Sequence, residues 1–289
     1  MSAAVCRVRS CNEPRFLPRA FFHTSIALAA LCPLPVQAQS GVNWAGAYGG
    51  LNLGYSSARA DTASNGYTGS FIGVAGSPQV AAALGAAPPN ATSHPVGIVP
   101  GAQLGYNWQH GALVYGVELG LVGPGTRGGA AVSQQVAIVN FPGNAMTAAL
   151  NQTDKLDYLT LWRARAGYAS GAWLPFVSAS LAYGQSTTDV SINQSLLGVA
   201  VNVTRNSWNS NSSTSARLGW AVGAGFEYAL SERWRVRAEY LYYDLGSQST
   251  DVPSTLYRTP ANTLFSSANT HAVTRWTGTI ASIGLSYRF

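Results

Sequence analysis

The C-terminal segment of the chain alternates strictly between two kinds of side chain. One face of an extended strand here would be apolar, and the other would carry small or polar residues; the apolar set is Thr279, Ala281, Ile283, Leu285, Tyr287 and Phe289. Successive side chains of a strand point to opposite faces, so this pattern predicts a strand with one face buried from water. The alternation recurs along the chain, which favours a closed β-barrel. The apolar face of such a barrel looks either into a dry core or outward into lipid.

The N-terminal residues predict export. Arginines precede an apolar stretch that begins near Phe21, and Val36 and Ala38 are small residues at the positions that a signal peptidase reads. We therefore expect residues 1–38 to be a cleaved signal peptide and residues 39–289 to form the barrel domain. The apolar stretch is too short to span a bilayer as a helix. All the cysteines precede the predicted cleavage site, so the mature chain would have no disulfide and no cysteine metal site: Cys6, Cys11 and Cys32.

Two alternatives concern this leader. Cys32 could instead be a lipoprotein acylation site, but Leu31 occupies the position where a small residue is expected. The basic part before Phe21 is also unusually long, and part of it could reflect a misplaced translation start.

Composition indicates which solvent meets the apolar face. Only 10% of the residues are charged, whereas a soluble surface usually carries roughly 25–35% charged residues. No run of 18 or more apolar residues follows the leader, so we expect no membrane-spanning helix. Strands whose side chains alternate between apolar and polar are then the remaining way to cross the membrane, because every backbone polar group in hydrocarbon must be paired within the fold. Removal of the leader leaves 13 basic and 10 acidic residues, a balance too mild to imply nucleic acid.

Pattern and turn residues predict an all-β fold, an eight-stranded antiparallel transmembrane β-barrel. The predicted strands cover Trp44 to Ser57, Val96 to Gln109, Ala112 to Val122, Asp154 to Ala169, Ala172 to Gln185, Thr214 to Leu230, Arg233 to Gly246 and Ala272 to Phe289. Short and long connections alternate, as in outer-membrane barrels with short periplasmic turns and longer external loops. The four predicted external loops cover residues 58–95, 123–153, 186–213 and 247–271.

Aromatic residues collect at the predicted strand ends. Aromatic girdles belong at the two membrane interfaces, where an amphipathic ring reaches both solvents. The periplasmic rim is predicted to contain Trp44, Trp108, Tyr168, Trp173, Tyr228 and Trp234, together with the terminal Phe289. The external rim would contain Tyr55, Tyr183 and Tyr242.

The polar face of the strands carries the charged residues of most interest. An eight-stranded barrel has an interior just wide enough to be filled by side chains, so charges there must pair. We therefore predict a lumenal network of ion pairs that plugs the barrel, formed by Glu118, Arg163, Arg165, Arg217, Glu227, Arg235, Arg237 and Glu239. The alternative is a narrow ion pathway lined by the arginines.

Four segments resemble a known family. These are residues 44–55, WAGAYGGLNLGY; residues 162–168, WRARAGY; residues 237–246, RAEYLYYDLG; and residues 284–289, GLSYRF. They are similar to the small porin-like outer-membrane proteins of alphaproteobacteria, the Omp25/Omp31 type. The resemblance covers nearly all strands and none of the loops. It implies an eight-stranded outer-membrane barrel, with Tyr287 and Phe289 in a terminal signal that the barrel assembly machinery reads. Some relatives bind haem or host surfaces through loops that this sequence does not share.

Catalysis and cofactor binding receive little support. His94 and His271 lie in predicted external loops, and His110 lies in a predicted periplasmic turn. A hydrolase would need His271 beside Asp251 or Ser254, and a haem or metal site would need His94 and His271 to meet across loops. No ligand spacing supports a metal site, so we expect neither an enzyme nor a resident cofactor.

The sequence therefore favours a structural protein of the cell outer membrane. Its expected roles are envelope integrity and presentation of surface loops, and its expected partners are outer-membrane lipid and lipopolysaccharide, the barrel assembly machinery and a possible external ligand of the loops. The alternatives are a surface-loop binding protein or adhesin for haem, a host receptor or a phage, and a narrow porin.

Overall fold

The computed structural model describes residues 42–68, 90–137, 145–197, 206–258 and 264–289. The predicted signal peptide lies outside the described residues. The described part of the chain contains the strands β1 (Gly46–Thr68), β2 (Asn90–Ser93), β3 (Val96–His110), β4 (Leu113–Val122), β5 (Thr126–Ala137), β6 (Ala145–Tyr168), β7 (Trp173–Leu197), β8 (Asn206–Ala229), β9 (Trp234–Arg258) and β10 (Leu264–Arg288). No helix in these ranges is long and apolar enough to cross a membrane.

The strands form a closed antiparallel ring. β1 pairs with β10 on one side and with β3 on the other, and the ring continues through β4, β6, β7, β8 and β9. β2 and β5 extend β3 and β4 at the external end, where β2 pairs with β1 and β5 pairs with β6. Between the tight turns and the external rim, closure leaves no unpaired sheet edge in the described residues, which is what a membrane-spanning sheet requires. The predicted fold class, an eight-stranded antiparallel barrel, is confirmed.

Tight turns join the strands at one end of the ring. β3 and β4 turn at Gly111, and β6 and β7 turn at Gly171; the φ angles of these glycines are 61° and 59°. A positive φ strains any residue with a Cβ atom, so glycine is the natural residue at these points. β8 and β9 are joined by a turn in which the Ser231 hydroxyl accepts a hydrogen bond from the Trp234 N–H at 3.0 Å.

The strands extend much further at the opposite end than the sequence predicts. Most described residues of the four predicted loops are strand: β1 runs to Thr68, β7 to Leu197 and β9 to Arg258, and β5 lies wholly within a predicted loop. The predicted loop boundaries are therefore wrong. Apolar alternation marks a strand only where one face is buried. Serine, threonine and asparagine on both faces remove that signal, although the backbone hydrogen bonds continue.

The outer surface of the ring is a continuous apolar band. Large apolar side chains there are about half exposed or more, including Leu51, Leu104, Val117, Leu181, Val222 and Ile283. The apolar alternate positions of the predicted strands point outward, and the polar ones point into the lumen. The apolar faces read from the sequence therefore form the barrel exterior.

Two β-bulges invert this alternation near the external rim. The register of β6 against β7 shifts between Leu156 and Tyr158, and the register of β10 against β9 shifts between Arg275 and Thr277. In β6 the buried residues have even numbers on the external side of the bulge, from Leu150 to Leu156. They have odd numbers on the periplasmic side, from Leu159 to Arg165. A bulge adds one residue to a strand, so every later side chain moves to the other face.

Val222 lies near the middle of the outward apolar band of β8. We expect Val222→Arg to lower the free energy of unfolding by about 2–4 kcal/mol, because arginine at the bilayer midplane must be taken into hydrocarbon. Urea titration of protein folded into lipid vesicles measures this difference. Ser212→Arg is the matched control, since Ser212 is exposed on the same strand beyond the external rim. Equal stability of the two variants would mean that Val222 does not face lipid.

Candidate functional site in the barrel lumen

A cluster of ion pairs fills the periplasmic half of the lumen. Glu118 of β4 lies at its centre, fully buried, opposite Arg163 in the β4–β6 register. Its Oε1 accepts a hydrogen bond from Arg163 Nη1 at 2.8 Å, and its Oε2 accepts one from Arg237 Nη1 at 2.6 Å. Arg165 Nη1 lies 3.7 Å from the same Oε2. Three guanidinium groups therefore surround one carboxylate.

Two further glutamates complete the cluster. Glu239 Oε2 accepts hydrogen bonds from Arg163 at 3.0 Å and from Arg237 at 2.9 Å. Glu227 pairs with Arg165, with 2.8 Å between its Oε1 and the Arg165 Nη1. Each carboxylate is shared or paired, and most members of the cluster are almost fully buried. Such a network is stable only when its charges are compensated, because desolvation of an unpaired ion is costly.

Tyr48 of β1 ties the network to the first strand. Its hydroxyl donates to Glu118 Oε2 at 2.7 Å and accepts from Arg165 Nη1 at 3.0 Å. The guanidinium groups of Arg165 and Arg237 also lie over the ring of Phe176, at 4.3 Å and 4.7 Å from its centroid. Cation–π contacts of this kind are stronger in a desolvated site. Neither Tyr48 nor Phe176 was among the residues predicted for the network.

Trp44 closes the periplasmic mouth and does not belong to the outer girdle. Its side chain is fully buried, and its ring centroid lies 4.7 Å from the guanidinium carbon of Arg235. Arg235 Nη2 donates to the Asn43 carbonyl oxygen at 3.0 Å, and Arg288 Nη1 donates to the same oxygen at 3.1 Å. Trp44 precedes the first residue of β1, so strand alternation does not fix its direction, and the indole covers buried Arg235.

The other predicted girdle residues lie on the outer surface. Trp108, Tyr168, Trp173, Tyr228 and Trp234 are between 36% and 50% exposed and lie at the end with the tight turns. Trp173 contacts Tyr228 with 4.7 Å between ring centroids. At the terminus Tyr287 lies edge-on to Trp234 at 5.1 Å and to Phe289 at 5.7 Å. The external rim contains further ring contacts: Tyr158 and Trp162 each contact Tyr183, and Trp220 contacts Tyr242.

An apolar layer lies above the ion-pair cluster. It consists of buried side chains from most strands of the ring: Ala58, Ala60, Val99, Val122, Leu156, Leu159, Leu161, Ala182, Ala221, Leu241, Tyr243, Leu245, Trp276 and Ile280. Between this layer and the cluster lies a cavity of about 30 Å³, lined in part by Gln103, Glu118 and Arg163. That volume holds about one water molecule. The side chains around this cavity therefore leave little room for water between the two layers.

Arg217 belongs to a second, separate polar layer on the external side. Its Nε donates to Gln248 Oε1 at 3.1 Å, and its Nη1 donates to the Thr274 carbonyl oxygen at 3.2 Å. Nearby Asp154 is fully buried and accepts hydrogen bonds from Ser93, Thr188 and Gln152. The structure thus brings six of the eight predicted lumenal residues into one ion-pair cluster. It places Arg235 under Trp44 at the periplasmic mouth and Arg217 beyond the apolar layer.

The histidine candidates lie on different parts of the described chain. His94 is exposed beside Pro95, between β2 and β3. His271 pairs with Asp251 in the backbone register of β10 and β9. Within residues 42–68, 90–137, 145–197, 206–258 and 264–289, no group of three or more His, Cys, Asp or Glu residues could hold a metal ion.

The family model described as outer membrane protein beta-barrel domain matches residues 25–289. The chain belongs to this outer membrane protein β-barrel family. It is 28% identical to the 31 kDa outer-membrane immunogenic protein of Brucella melitensis, over 86% of this chain and 84% of that relative. It is 26% identical to the 25 kDa outer-membrane immunogenic protein of Brucella abortus, over 86% of this chain and 87% of the relative. The resemblance drawn from the four segments is confirmed.

Similar solved structures include OprG from Pseudomonas aeruginosa, with a TM-score of 0.40 and 14% sequence identity over 85% of this chain and 96% of OprG. The outer membrane protein β-barrel family places this protein in the outer membrane of a Gram-negative bacterium, in contact with lipid and lipopolysaccharide.

Glu118 is the carboxylate whose loss should lower the stability of this protein most. We expect Glu118→Gln to lower the free energy of unfolding by about 3–5 kcal/mol, because Arg163 and Arg237 would keep their buried charges without their shared partner. Urea unfolding of the protein in detergent micelles, followed by the gel shift between folded and boiled protein, measures the loss.

Asp61→Asn is the matched control for this substitution. Asp61 pairs with Arg59 at 2.8 Å on the exposed external part of β1, and exposed pairs contribute little to stability. If Glu118→Gln were no more destabilising than Asp61→Asn, the lumenal cluster would not be needed to hold the barrel together.

Proposed function

We propose that this protein is a sealed structural barrel that contributes to envelope integrity and presents its external hairpins at the cell surface. The observation that carries the proposal is the filled lumen. A buried ion-pair cluster around Glu118 and an apolar layer around Trp276 are stacked along the barrel axis. Water and ions would have to displace both layers to cross, which argues against the narrow porin considered above.

The second half of the proposal rests on the length of the external hairpins. β6 and β7 stay paired far beyond the rim tyrosines Tyr158 and Tyr183, up to Ala145 opposite Leu197. Two relatives bear names that call them immunogenic outer-membrane proteins, which accords with surface segments that are accessible from outside. Paired strands of this length would carry the hairpin ends well clear of the membrane.

The same hairpins support the runner-up, a surface binding protein. External segments vary and carry function independently of the scaffold that holds them. A loop ligand such as haem, a host receptor or a phage would engage these hairpins and would not need the lumen. We further propose that the protein is not an enzyme and that Tyr287 and Phe289 act as its assembly signal; the outward aromatic contacts at the end of β10 are compatible with that signal.

Planar-bilayer recording tests the sealed lumen. We expect folded protein to show no stable open conductance, because the two lumenal layers leave no continuous aqueous path. The folded state of the inserted sample is verified by its gel shift on boiling, and a general porin in the same bilayer is the positive control. A persistent open state that scales with the amount of folded protein would contradict the sealed barrel and favour the pore.

A deletion strain separates the structural role from loop binding. We expect the strain to be more sensitive to detergent than its parent, and we expect a plasmid copy of the gene to restore resistance. A copy in which residues 198–205 are replaced by Asn-Gly should restore it equally if the barrel itself supports the envelope. Normal detergent resistance combined with poor growth on limiting haem would instead favour the binding protein.

A further inference from the structure

The wall of the barrel divides between β8 and β9 at the level of the external rim. The two strands pair from Ala229 opposite Arg235 up to Trp220 opposite Asp244. Beyond that point both strands continue, each paired with its other neighbour. No backbone pairing joins residues 212–219 of β8 to residues 245–249 of β9, all of which the structure describes.

The local sequence accounts for the position of this division. Gly246 has a φ of 71°, and its N–H donates to Asp244 Oδ1 at 2.8 Å, within the bulged part of β9. Gly219 of β8 packs so tightly against this bulge that a Cβ atom there would lie 2.0 Å from the Asp244 carbonyl oxygen. The bulge increases the twist of β9 and turns it away from β8. From the lumen, the Arg217 side chain reaches across to Gln248.

The outer side of the division is a notch of about 350 Å³. Its apolar wall is formed by Leu218 and Trp220, which are 64% and 50% exposed. Its polar wall is formed by Ser247, Asp244 and Arg275. Trp220 also contacts Tyr242 with 5.6 Å between ring centroids, which places the notch at the external aromatic rim, where hydrocarbon meets lipid headgroups.

The charges of the notch favour an anionic headgroup. Asp244 is buried, and both of its oxygens are occupied, by the Gly246 N–H and by Arg275 Nη2 at 2.6 Å. The Arg275 side chain is 61% exposed, so the rest of its guanidinium group faces outward with N–H donors directed away from Asp244. Guanidinium groups bind phosphate through charge-assisted, often bidentate hydrogen bonds.

We propose that this notch is a binding site for one phosphorylated lipid of the outer leaflet. The phosphate lies on Arg275, and the hydrocarbon chain lies against Leu218 and Trp220 where the wall is open. The lipid supplies contacts that the missing β8–β9 pairs would otherwise make. This inference needs only the location of the barrel in the outer membrane, and it stands whether or not the lumen conducts.

Native mass spectrometry of the detergent-solubilised, folded protein tests the proposal. The probes are lipid A, lipid A without its phosphates, phosphatidylglycerol and inorganic phosphate, each added alone. We expect one tightly bound molecule of lipid A or phosphatidylglycerol, and binding about tenfold weaker for the dephosphorylated lipid and for Arg275→Gln, because a charge-assisted contact is lost. Tight binding of lipid A alone would identify that lipid as the source of the phosphate, and tight binding of phosphatidylglycerol alone would identify a glycerophospholipid.

Arg59→Gln is the matched control. Arg59 is 57% exposed and pairs with Asp61 at 2.8 Å on the neighbouring part of the rim, but it does not line the notch. We expect Arg59→Gln to bind lipid like the native protein and Arg275→Lys to recover part of the binding. Ser247→Trp should reduce binding by filling the notch, and it serves as the test if Arg275→Gln does not fold.

Three results would overturn the proposal. Equal loss of binding in Arg59→Gln and Arg275→Gln would mean that lipid responds to rim charge in general. Inorganic phosphate bound as tightly as the lipids would mean that the hydrocarbon wall contributes nothing. Unchanged lipid binding in both Arg275→Gln and Ser247→Trp would place the lipid elsewhere.

Discussion

Closure of the sheet into a ring of eight strands is the constraint on which the rest of this structure depends. Closure pairs the backbone where lipid offers no hydrogen bonds, and it also fixes an interior so narrow that inward side chains must fill it. Every inward charge then needs a partner within reach. Glu118, held between Arg163 and Arg237, is the clearest product of that requirement. The apolar layer around Trp276 also fills the narrow interior, but with uncharged side chains.

The membrane-spanning half of the barrel could be predicted from the sequence because lipid on its outside requires an apolar side chain at every second position of each strand. Leu104 and Val222 fall on the apolar face of their predicted strands, and both point outward. The cross-strand pair of Glu118 and Arg163 follows from polar faces that share a lumen. The external half could not be predicted in this way, because serine, threonine and asparagine on both faces remove the apolar alternation that marks a strand.

Individual side chains escaped prediction for local reasons. The bulge at Leu156 and Tyr158 shifts the phase of β6, so counting by two across it assigns faces wrongly. No sequence pattern placed Trp276 in the lumen, where its side chain is fully buried in the apolar layer. Trp44 precedes its strand and turns inward onto Arg235. The chain has few carboxylates to pair with Arg235. This shortage was the available sequence signal that an aromatic ring would cover its guanidinium group.

The apolar layer around Trp276 separates two polar regions of the lumen. It works as a septum of low polarity between Asp154 on the external side and Glu118 on the periplasmic side. Asp154 and its hydrogen-bond partners lie on the external side of this layer, whereas the Glu118 cluster lies between the layer and Trp44, which closes the periplasmic mouth. The residues of the external polar layer around Asp154 can therefore change over evolutionary time without disturbing the ion-pair cluster around Glu118.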